Sequence, residues 1–318
     1  MKNKGFLLGF LPFLLISCSK NANPIESKFF GFDTYVDIKI YDGSKEDLSE
    51  LENIFSAYDK LSDNYKERDV TNLYTINNTN ENVVVDEKLY QMLQVSFEAK
   101  NKGATYFDPL CGSLAKKWKE AISNKQVLAD DVISNELTKI NNTTFSFLDS
   151  NTVKRDGEAE LDLGGIAKGY ALDQVKSYLD NKDIHQYLIN GGSSSILLGE
   201  KNTKDGLFNV GLKDIPNAFL KVKNCFVSTS SISEQGVEID GVKYSHIINP
   251  LTGSATSLND GVIVISENGS LGDALSTSMM MNTFDEIKEI ESSQGVKAIV
   301  IKDGTITYKN NDIEVYYH

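Results

Sequence analysis

The amino-acid sequence predicts an α+β protein in which helices and strands are mixed. Residues 46–61 and 86–102 place apolar side chains at helical spacing, whereas residues 34–41 alternate apolar and polar side chains as a half-buried strand does. The later elements lack the strict strand–helix–strand rhythm of a doubly wound parallel sheet. We therefore expect a mixed α+β body, and 318 residues are enough for one large domain or two fused lobes.

The N-terminus is typical of a bacterial lipoprotein leader. Lys2 and Lys4 precede an apolar run that ends in Ser17 and Cys18. This pattern predicts a signal peptide over 1–17, lipidation of Cys18, and a polar tether over 18–28. An uncleaved anchor or an ordinary secretory signal are the alternatives. The expected location is the bacterial cell membrane, with the protein lipid-anchored on the extracytoplasmic face.

The charge excludes one class of partner. The formal net charge is −13, and removing a leader with two lysines and no acidic residue takes it to about −15. Such a body repels nucleic acid, so no nucleic-acid partner is expected. The spacing of Cys111 and Cys225 suits neither a zinc site nor a CxxC redox pair, which leaves two buried thiols or a single disulfide.

The first half of the chain is predicted to be mainly helical after its opening strand. The helix over 86–102 should stop at Gly103, a residue type favoured just beyond helix ends. A polar helical region follows Leu114. A hairpin is then expected over 146–160, turning at the Arg-Asp-Gly-Glu of 155–158.

The second half of the chain is predicted to alternate strands with two helices. A short strand enters two glycines at 164–165 and a helix that runs to Leu179. The last hairpin is expected to turn at Asp303-Gly304, a favoured two-residue turn. The remaining elements are strands over 187–189, 208–212, 226–229 and 262–266 and a helix over 271–281.

The turn at Gly164-Gly165 has the features of an anion site. The two glycines let the backbone bend and expose amide groups where a helix begins, and Lys168 lies in the first turn. The alternative is a close-packed turn with a solvated lysine. Neither a Walker loop nor a dinucleotide GxGxxG fingerprint is present.

Asp273 and Thr277 lie four residues apart and should project from one helix face. A carboxylate and a hydroxyl are hard oxygen ligands that suit Mg²⁺. Alternatively, Asp273 caps the helix and Thr277 bonds back to the carbonyl of residue 273.

His246 lies in a turn-rich loop beside glycine and proline, where a histidine is well placed for proton transfer. A surface histidine without a role is the alternative. Tyr106, Phe107 and Asp108 precede a proline bend, and aromatic rings beside a carboxylate suit a planar ligand as well as they suit a core.

The order of these motifs resembles the ApbE family, the FAD:protein FMN transferases, over residues 29–318. The matching stretches are YFDPLCGSL, LDLGGIAKGYALD, LINGGSSS, YSHIINPLTG and DALST. The resemblance implies a mixed-sheet, two-lobed, T-fold-like body with the active cleft between its lobes. It also implies Mg²⁺-dependent transfer of FMN from FAD onto a Ser or Thr hydroxyl of an extracytoplasmic acceptor protein, with release of AMP.

The resemblance also implies roles for individual residues. It makes Asp273, Thr277 and the carbonyl of Ala167 the ligands of Mg²⁺, and His246 the functional histidine. Phe32 stands where the family has a methionine, and Ser231 where it usually has glycine. The residues expected to bind FAD are Phe32, Tyr65, Tyr106, Phe107, Asp108, Asp162, Gly164, Lys168, Ile248 and Ser276.

Two other functions are compatible with the same residues. One is a Mg²⁺-dependent FAD pyrophosphatase, in which water replaces the protein hydroxyl and free FMN and AMP are formed. The other is a lipid-anchored flavin-binding protein without catalysis. Neither accounts as well for a metal pair, a loop histidine and a diphosphate-binding turn in one chain.

Overall fold

The computed structural model describes residues 23–318, and eight of its strands form one large antiparallel sheet. The strands are β1 Ile25–Gly31, β2 Thr34–Ile40, β3 Val83–Val84, β4 Thr144–Leu148, β5 Thr152–Asp156, β6 Tyr187–Gly191, β7 Ser195–Leu198, β8 Phe208–Gly211, β9 Ala218–Val222, β10 Cys225–Ser231, β11 Gly236–Ile239, β12 Val242–Ser245, β13 Gly261–Ser266, β14 Lys297–Lys302, β15 Thr305–Lys309 and β16 Tyr316–Tyr317. The helices are α1 Lys45–Ser62, α2 Leu73–Asn77, α3 Glu87–Glu98, α4 Gly112–Ser123, α5 Asp130–Asn142, α6 Ala167–Asn181, α7 Gly269–Met279 and α8 Phe284–Gln294.

The large sheet separates two hydrophobic cores. Its strand order is β1-β2-β6-β7-β10-β13-β14-β15, and each neighbouring pair is antiparallel. Successive side chains of a strand point to opposite faces, so Val262 and Val264 pack in the core under the helices. Ile263 between them packs in a smaller core with Phe208 and Leu220 of β8 and β9. The central strands of the sheet are therefore buried on both faces, whereas the edge strand β1 alternates exposed and half-buried side chains.

The predicted α+β class is confirmed, and the two lobes have a simple origin in the chain. Residues 45–156 carry α1 to α5 and the small sheet β3-β5-β4, and they are inserted between β2 and β6, which are neighbours in the large sheet. The insertion forms one lobe and the large sheet with α6 and α7 forms the other, and the main hydrophobic core is continuous through both. The expected mixed sheet is wrong, because every strand pairing in residues 23–318 is antiparallel. The mixture is one of helices and antiparallel sheets.

Local signals place several elements as expected. A capping box between Ser44 and Asp47 starts α1, which buries Leu51 and Phe55 at helical spacing. The predicted helix over 86–102 is α3 followed by a 3₁₀ turn, and Gly103 ends it in the left-handed conformation with φ 88°. The hairpin turn at Asp303-Gly304 joins β14 to β15, as predicted.

The predicted hairpin is present, but its turn does not lie at Arg-Asp-Gly-Glu. The chain reverses at Ser150 and Asn151, both with positive φ, and Arg155 already lies inside β5. The buried guanidinium of Arg155 donates to backbone carbonyls of Asn77 and Thr79, so this residue holds neighbouring loops rather than forming a turn. The unpaired backbone groups of those loops thereby gain partners.

The extended segment before the glycine pair is not a strand. Residues 159–163 alternate buried and half-buried side chains as predicted, but they pair with loops and side chains. The Leu161 amide donates to Asn77 Oδ1 at 2.7 Å, and the Asp162 amide donates to the carbonyl of Pro109 at 2.8 Å. Because these partners are a side chain and a carbonyl outside any strand, the alternation reflects burial without strand pairing.

The folded region begins earlier than the predicted boundary at residue 29. Strand β1 starts at Ile25 and pairs with β2 over its whole length, because Ile25 and Phe29 pack against the main core. The signal peptide over 1–17 and the lipidation site Cys18 lie outside the described residues and stay predictions. In residues 23–318 no helix is both long and apolar enough to span a membrane. Cys111 and Cys225 are free thiols.

Candidate active site

A pocket of about 190 Å³ lies between the two lobes. The inserted lobe contributes residues before and within α4, and the sheet lobe contributes the ends of β7 and β10, the start of α6 and one face of α7. The predicted site residues that line it are Tyr106, Phe107, Asp108, Asp162, Gly164, Lys168, His246, Ile248, Asp273, Ser276 and Thr277. The motifs that the sequence places far apart therefore meet in one cleft.

Asp273 is the most enclosed charged group of the pocket. Its carboxylate accepts hydrogen bonds from Ser228 Oγ at 2.6 Å, Ser195 Oγ at 2.9 Å and the Gly169 amide at 2.7 Å. Burial raises the pKa of Asp273 to about 6, while these donors and nearby Lys168 act in the opposite direction. Asn268 caps α7 in its place, so Asp273 is not the cap that the alternative interpretation required.

Thr277 lies beside Asp273 on the same face of α7, and the glycine corner packs against it. Ser230 Oγ lies 3.4 Å from Thr277 Oγ1 and 2.9 Å from Ser276 Oγ. A Cβ atom added to Gly165 would lie 3.4 Å from Thr277 Oγ1 and 3.1 Å from the ring of Phe107. The absence of a side chain at Gly165 thus keeps the threonine hydroxyl close to the corner.

The glycine corner differs from the anion site that the sequence predicts. The Gly164 amide donates to Asp162 Oδ1 at 2.6 Å, and the Gly169 amide donates to Asp273. Asp162 thus occupies one of the two glycine amides that we expected to be free for a phosphate, and Asp273 occupies a further amide in the first turn of α6. The positive charge at this corner comes from Lys168, which lines the pocket.

His246 reaches the pocket from the loop after β12. Its backbone amide donates to the carbonyl of Gln235 at 3.1 Å, which fixes the loop. Burial lowers the pKa of the imidazole below its ordinary 6.5; Glu234 opposes this shift, and Lys168 and Lys213 add to it. The imidazole is therefore held neutral near pH 7, the form in which it accepts a proton.

Three predicted site residues do not line the pocket. Tyr65 is 51% exposed, with the ammonium groups of Lys116 and Lys119 each 5.0 Å from its ring centre. Phe32 lies in the turn between β1 and β2, where its amide donates to Asp59. Ala167 is the buried first residue of α6. Their expected roles stay predictions.

The sequence interpretation missed the hydroxyl groups that surround Asp273. Ser195 and Ser228 both donate to its carboxylate, and Ser194, Thr229 and Ser230 also line the pocket. Two serine-rich stretches are visible in the sequence. Residues 193–195 follow one predicted strand, and residues 228–231 overlap the end of another. A run of small hydroxyl residues where core residues are expected is the signal that identifies such a wall.

The donor atoms at Asp273 and Thr277 fit a single divalent cation. A carboxylate has about four acceptor positions, and three donors reach Asp273, so one position remains for a metal. The threonine hydroxyl supplies a second oxygen nearby. Among residues 23–318 no group of three His, Cys, Asp or Glu side chains forms a metal site, so carbonyl, phosphate or water oxygens would complete the coordination.

Comparison with known sequences identifies the family. The sequence model of the ApbE family matches residues 32–300. A FAD:protein FMN transferase of Treponema pallidum is 28% identical over 225 residues, which cover 64% of this chain and 62% of the relative. A FAD:protein FMN transferase of Rhodobacter capsulatus is 27% identical over 232 residues, which cover 70% of this chain and 44% of the relative. The chain thus spans less than two thirds of the length of both relatives.

The fold agrees with the family. The crystal structure of the ApbE protein from Thermotoga maritima superposes with a TM-score of 0.76 at 24% identity, and the alignment covers 91% of this chain and 97% of that chain. At this identity the likeness concerns the fold. Because the family model covers most of the chain, both lobes included, this protein belongs to the ApbE family.

Proposed function

We propose that this protein is a Mg²⁺-dependent FAD:protein FMN transferase. It moves the FMN half of FAD onto a Ser or Thr hydroxyl of an acceptor protein and releases AMP. The observation that carries the proposal is the meeting of the Asp273–Thr277 oxygen pair, Lys168 and His246 in one pocket between the lobes. The names of the relatives support the same reaction.

Asp273 and Thr277 would hold Mg²⁺, together with the carbonyl of Ala167 at the start of α6. A bound Mg²⁺ supplies Lewis acidity that stabilises negative charge on phosphoryl oxygens. The serines around Asp273 fix the orientation of its carboxylate through direct hydrogen bonds. Such a preformed ligand needs little reorganisation when the cation arrives.

The other pocket residues divide into a flavin-binding and a phosphate-binding group. Tyr106, Phe107 and Ile248 offer apolar surface for the isoalloxazine ring, with Asp108 beside them. The pocket volume of about 190 Å³ is smaller than the roughly 300–1,000 Å³ of sites that enclose a whole ligand. We therefore assign this pocket to only part of FAD, the end at which the reaction takes place, with the flavin ring and the phosphoryl groups.

The remaining candidates have places around that reacting end. Lys168 lines the pocket and would face the phosphoryl oxygens, and Asp162, Gly164 and Ser276 line the same pocket. The rest of the dinucleotide would extend toward the surface, and Tyr65, which is exposed, and Phe32, which lies in a turn, stay candidates for contacts with it.

His246 would act as the base. The acceptor oxygen attacks the phosphorus of the FMN half, the bond to the AMP oxygen breaks, and the proton of the hydroxyl passes to the imidazole. A neutral, buried imidazole suits this step because a hydroxyl is a weak nucleophile until its proton is accepted. Lys168 balances the charge that builds on the phosphoryl oxygens.

The test is incubation with FAD, Mg²⁺ and an acceptor peptide that carries a target Ser or Thr, followed by mass spectrometry. A covalent FMN adduct on the peptide together with AMP supports the transferase. The matched control replaces the target residue by alanine. Free FMN and AMP without an adduct would instead favour a FAD pyrophosphatase.

The proposal places the enzyme on the extracytoplasmic face of the bacterial membrane, anchored by a lipid on Cys18. The support is the sequence pattern of residues 1–18 and the polar stretch that follows. Strand β1 begins at Ile25, only a few residues after the proposed lipidated cysteine. An acceptor protein would then meet the enzyme close to the membrane surface.

A further inference from the structure

Ser194 has an unusual position among the hydroxyl groups of the pocket. Within residues 23–318, two buried side-chain atoms lack a hydrogen-bond partner, Ser194 Oγ and His246 Nδ1, and both residues line this pocket. We propose that Ser194 is a further binding residue, whose hydroxyl donates a hydrogen bond to a phosphoryl oxygen of the bound dinucleotide. This inference rests on the proposed function, because it takes FAD as the ligand.

The backbone around Ser194 is firmly held. Its carbonyl accepts a hydrogen bond from the Thr229 amide at 2.7 Å, which ties it to β10. The preceding Ser193 amide donates to Asn190 Oδ1 at 2.6 Å. The backbone position from which the hydroxyl projects is therefore set by two contacts outside its own side chain.

Two neighbouring hydroxyls of the pocket, those of Ser195 and Ser230, have partners inside the protein. Ser195 donates to Asp273, and Ser230 pairs with Ser276. Ser194 is only 8% exposed, and a buried hydroxyl without a partner is unfavourable. A ligand atom that accepts a hydrogen bond removes this penalty, so the unpaired hydroxyl favours the bound state.

The position of Ser194 indicates a phosphoryl oxygen rather than the flavin ring. Ser194 directly precedes Ser195, whose hydroxyl contacts the proposed metal ligand Asp273, and adjacent Cα atoms lie about 3.8 Å apart. The diphosphate must lie close to that ligand. The aromatic side chains that suit a flavin ring come from Tyr106 and Phe107 in the other lobe.

The experiment compares the wild type with Ser194→Ala and Ser194→Cys, which keeps the shape of the side chain but is a weak donor. Thermal unfolding of the free protein is measured first. Calorimetry with Mg²⁺ then gives the dissociation constants of FAD, ADP and riboflavin. Ser230→Ala is the matched control, because its hydroxyl has partners in the free protein.

We expect both Ser194 variants to keep or raise the melting temperature of the free protein, whereas Ser230→Ala lowers it. The dissociation constants of FAD and ADP should rise about tenfold in the Ser194 variants, the effect of one hydrogen bond to a charged acceptor. The dissociation constant of riboflavin, which carries no phosphate, should stay unchanged.

Three results would overturn the inference. The first is a lower melting temperature of free Ser194→Ala, which would mean that the hydroxyl has a partner in the protein. The second is an unchanged affinity of the Ser194 variants for FAD. The third is a loss of riboflavin affinity equal to the loss of FAD affinity. A wild type that binds neither FAD nor ADP would refute the proposed function and this inference together. If the wild type binds FAD and ADP and the Ser194 variants bind them equally tightly, only the role of the serine is refuted.

Discussion

The carboxylate of Asp273 on α7 accepts a hydrogen bond of 2.7 Å from the backbone amide of Gly169 on α6. The contact is reciprocated, because Asp173 on α6 accepts hydrogen bonds from the amides of Gly269 and Ser270 at the start of α7. Each helix thus satisfies amides of the other that have no partner within their own helix. This exchange fixes the helix that carries the proposed metal ligands against the glycine corner.

The first prediction concerns the close approach of the two helices at Gly169. A Cβ atom at this position would overlap the carbonyl group of Gly269, which is backbone and cannot turn away. Gly169→Ala should therefore lower the free energy of unfolding by about 3 kcal/mol, measured by chemical denaturation. Gly211→Ala is the control, because its Cβ atom meets no neighbour within 4 Å. Equal stability of both variants would contradict the described crossing.

The second prediction separates the two aspartates. Asp273→Asn should abolish measurable Mg²⁺ binding and flavin transfer, because the amide removes the charge that a divalent cation requires. Asp173→Asn should keep Mg²⁺ binding and lower stability by about 1 kcal/mol, since Asp173 only caps α7. Titration calorimetry with Mg²⁺ and thermal unfolding measure the two effects. Unchanged Mg²⁺ binding in Asp273→Asn would count against the ligand assignment.

The third prediction concerns the base. His246→Ala should bind FAD normally but transfer FMN about 10²–10⁴ times more slowly, the usual cost of a lost general base. Equilibrium binding and single-turnover transfer distinguish the two effects. His185→Ala, an exposed histidine far along the chain, should leave both quantities unchanged. Wild-type turnover in His246→Ala would refute the assignment.

The fourth prediction is the pH dependence of that base. Burial lowers the pKa of His246 below 6.5, and the imidazole accepts a proton only when it is neutral. The transfer rate at saturating Mg²⁺ should therefore fall as the pH drops through a value below 6.5. Glu234→Gln removes a carboxylate that raises this pKa, so its acid limb should move to lower pH, and Lys213→Met should move it to higher pH. If the acid limbs of both variants moved in the same direction, the result would argue against electrostatic control of the His246 pKa by Glu234 and Lys213.

The fifth prediction tests the anchor. Cys18→Ala should abolish incorporation of labelled fatty acid and move the protein from the detergent phase to the aqueous phase, because the acyl chains provide the membrane affinity. FAD binding should be unchanged, since the described fold begins at Ile25. Retention of the label on another residue would show that the sequence pattern was misread.

Local sequence patterns predicted much of this protein. The four-residue spacing of Asp273 and Thr277 puts both oxygens on one helix face, and the structure places both in the pocket. Gly103 and Asp303-Gly304 ended a helix and turned a hairpin where expected, because glycine adopts positive φ without strain. Such features depend on neighbours within a few residues, so the order of residues encodes them directly.

Other features needed the folded chain. Ser195 reaches Asp273 across 78 residues of sequence, and no periodicity relates the two. The Gly164 amide was expected to be free for an anion, yet the Asp162 carboxylate occupies it. Tyr65 does not line the pocket, although the family resemblance implied that it binds FAD. These outcomes depend on which distant groups the lobes bring together.

The residue order alone determined the α+β class, the family and the chemical character of the metal and base candidates. Only the tertiary structure decided which hydroxyls surround Asp273, which of its neighbours are left unpaired, and how closely α6 and α7 approach at Gly169. The reason is that short-range periodicity specifies which face of an element is buried, whereas hydrogen-bond partners depend on the packing of segments far apart in the chain.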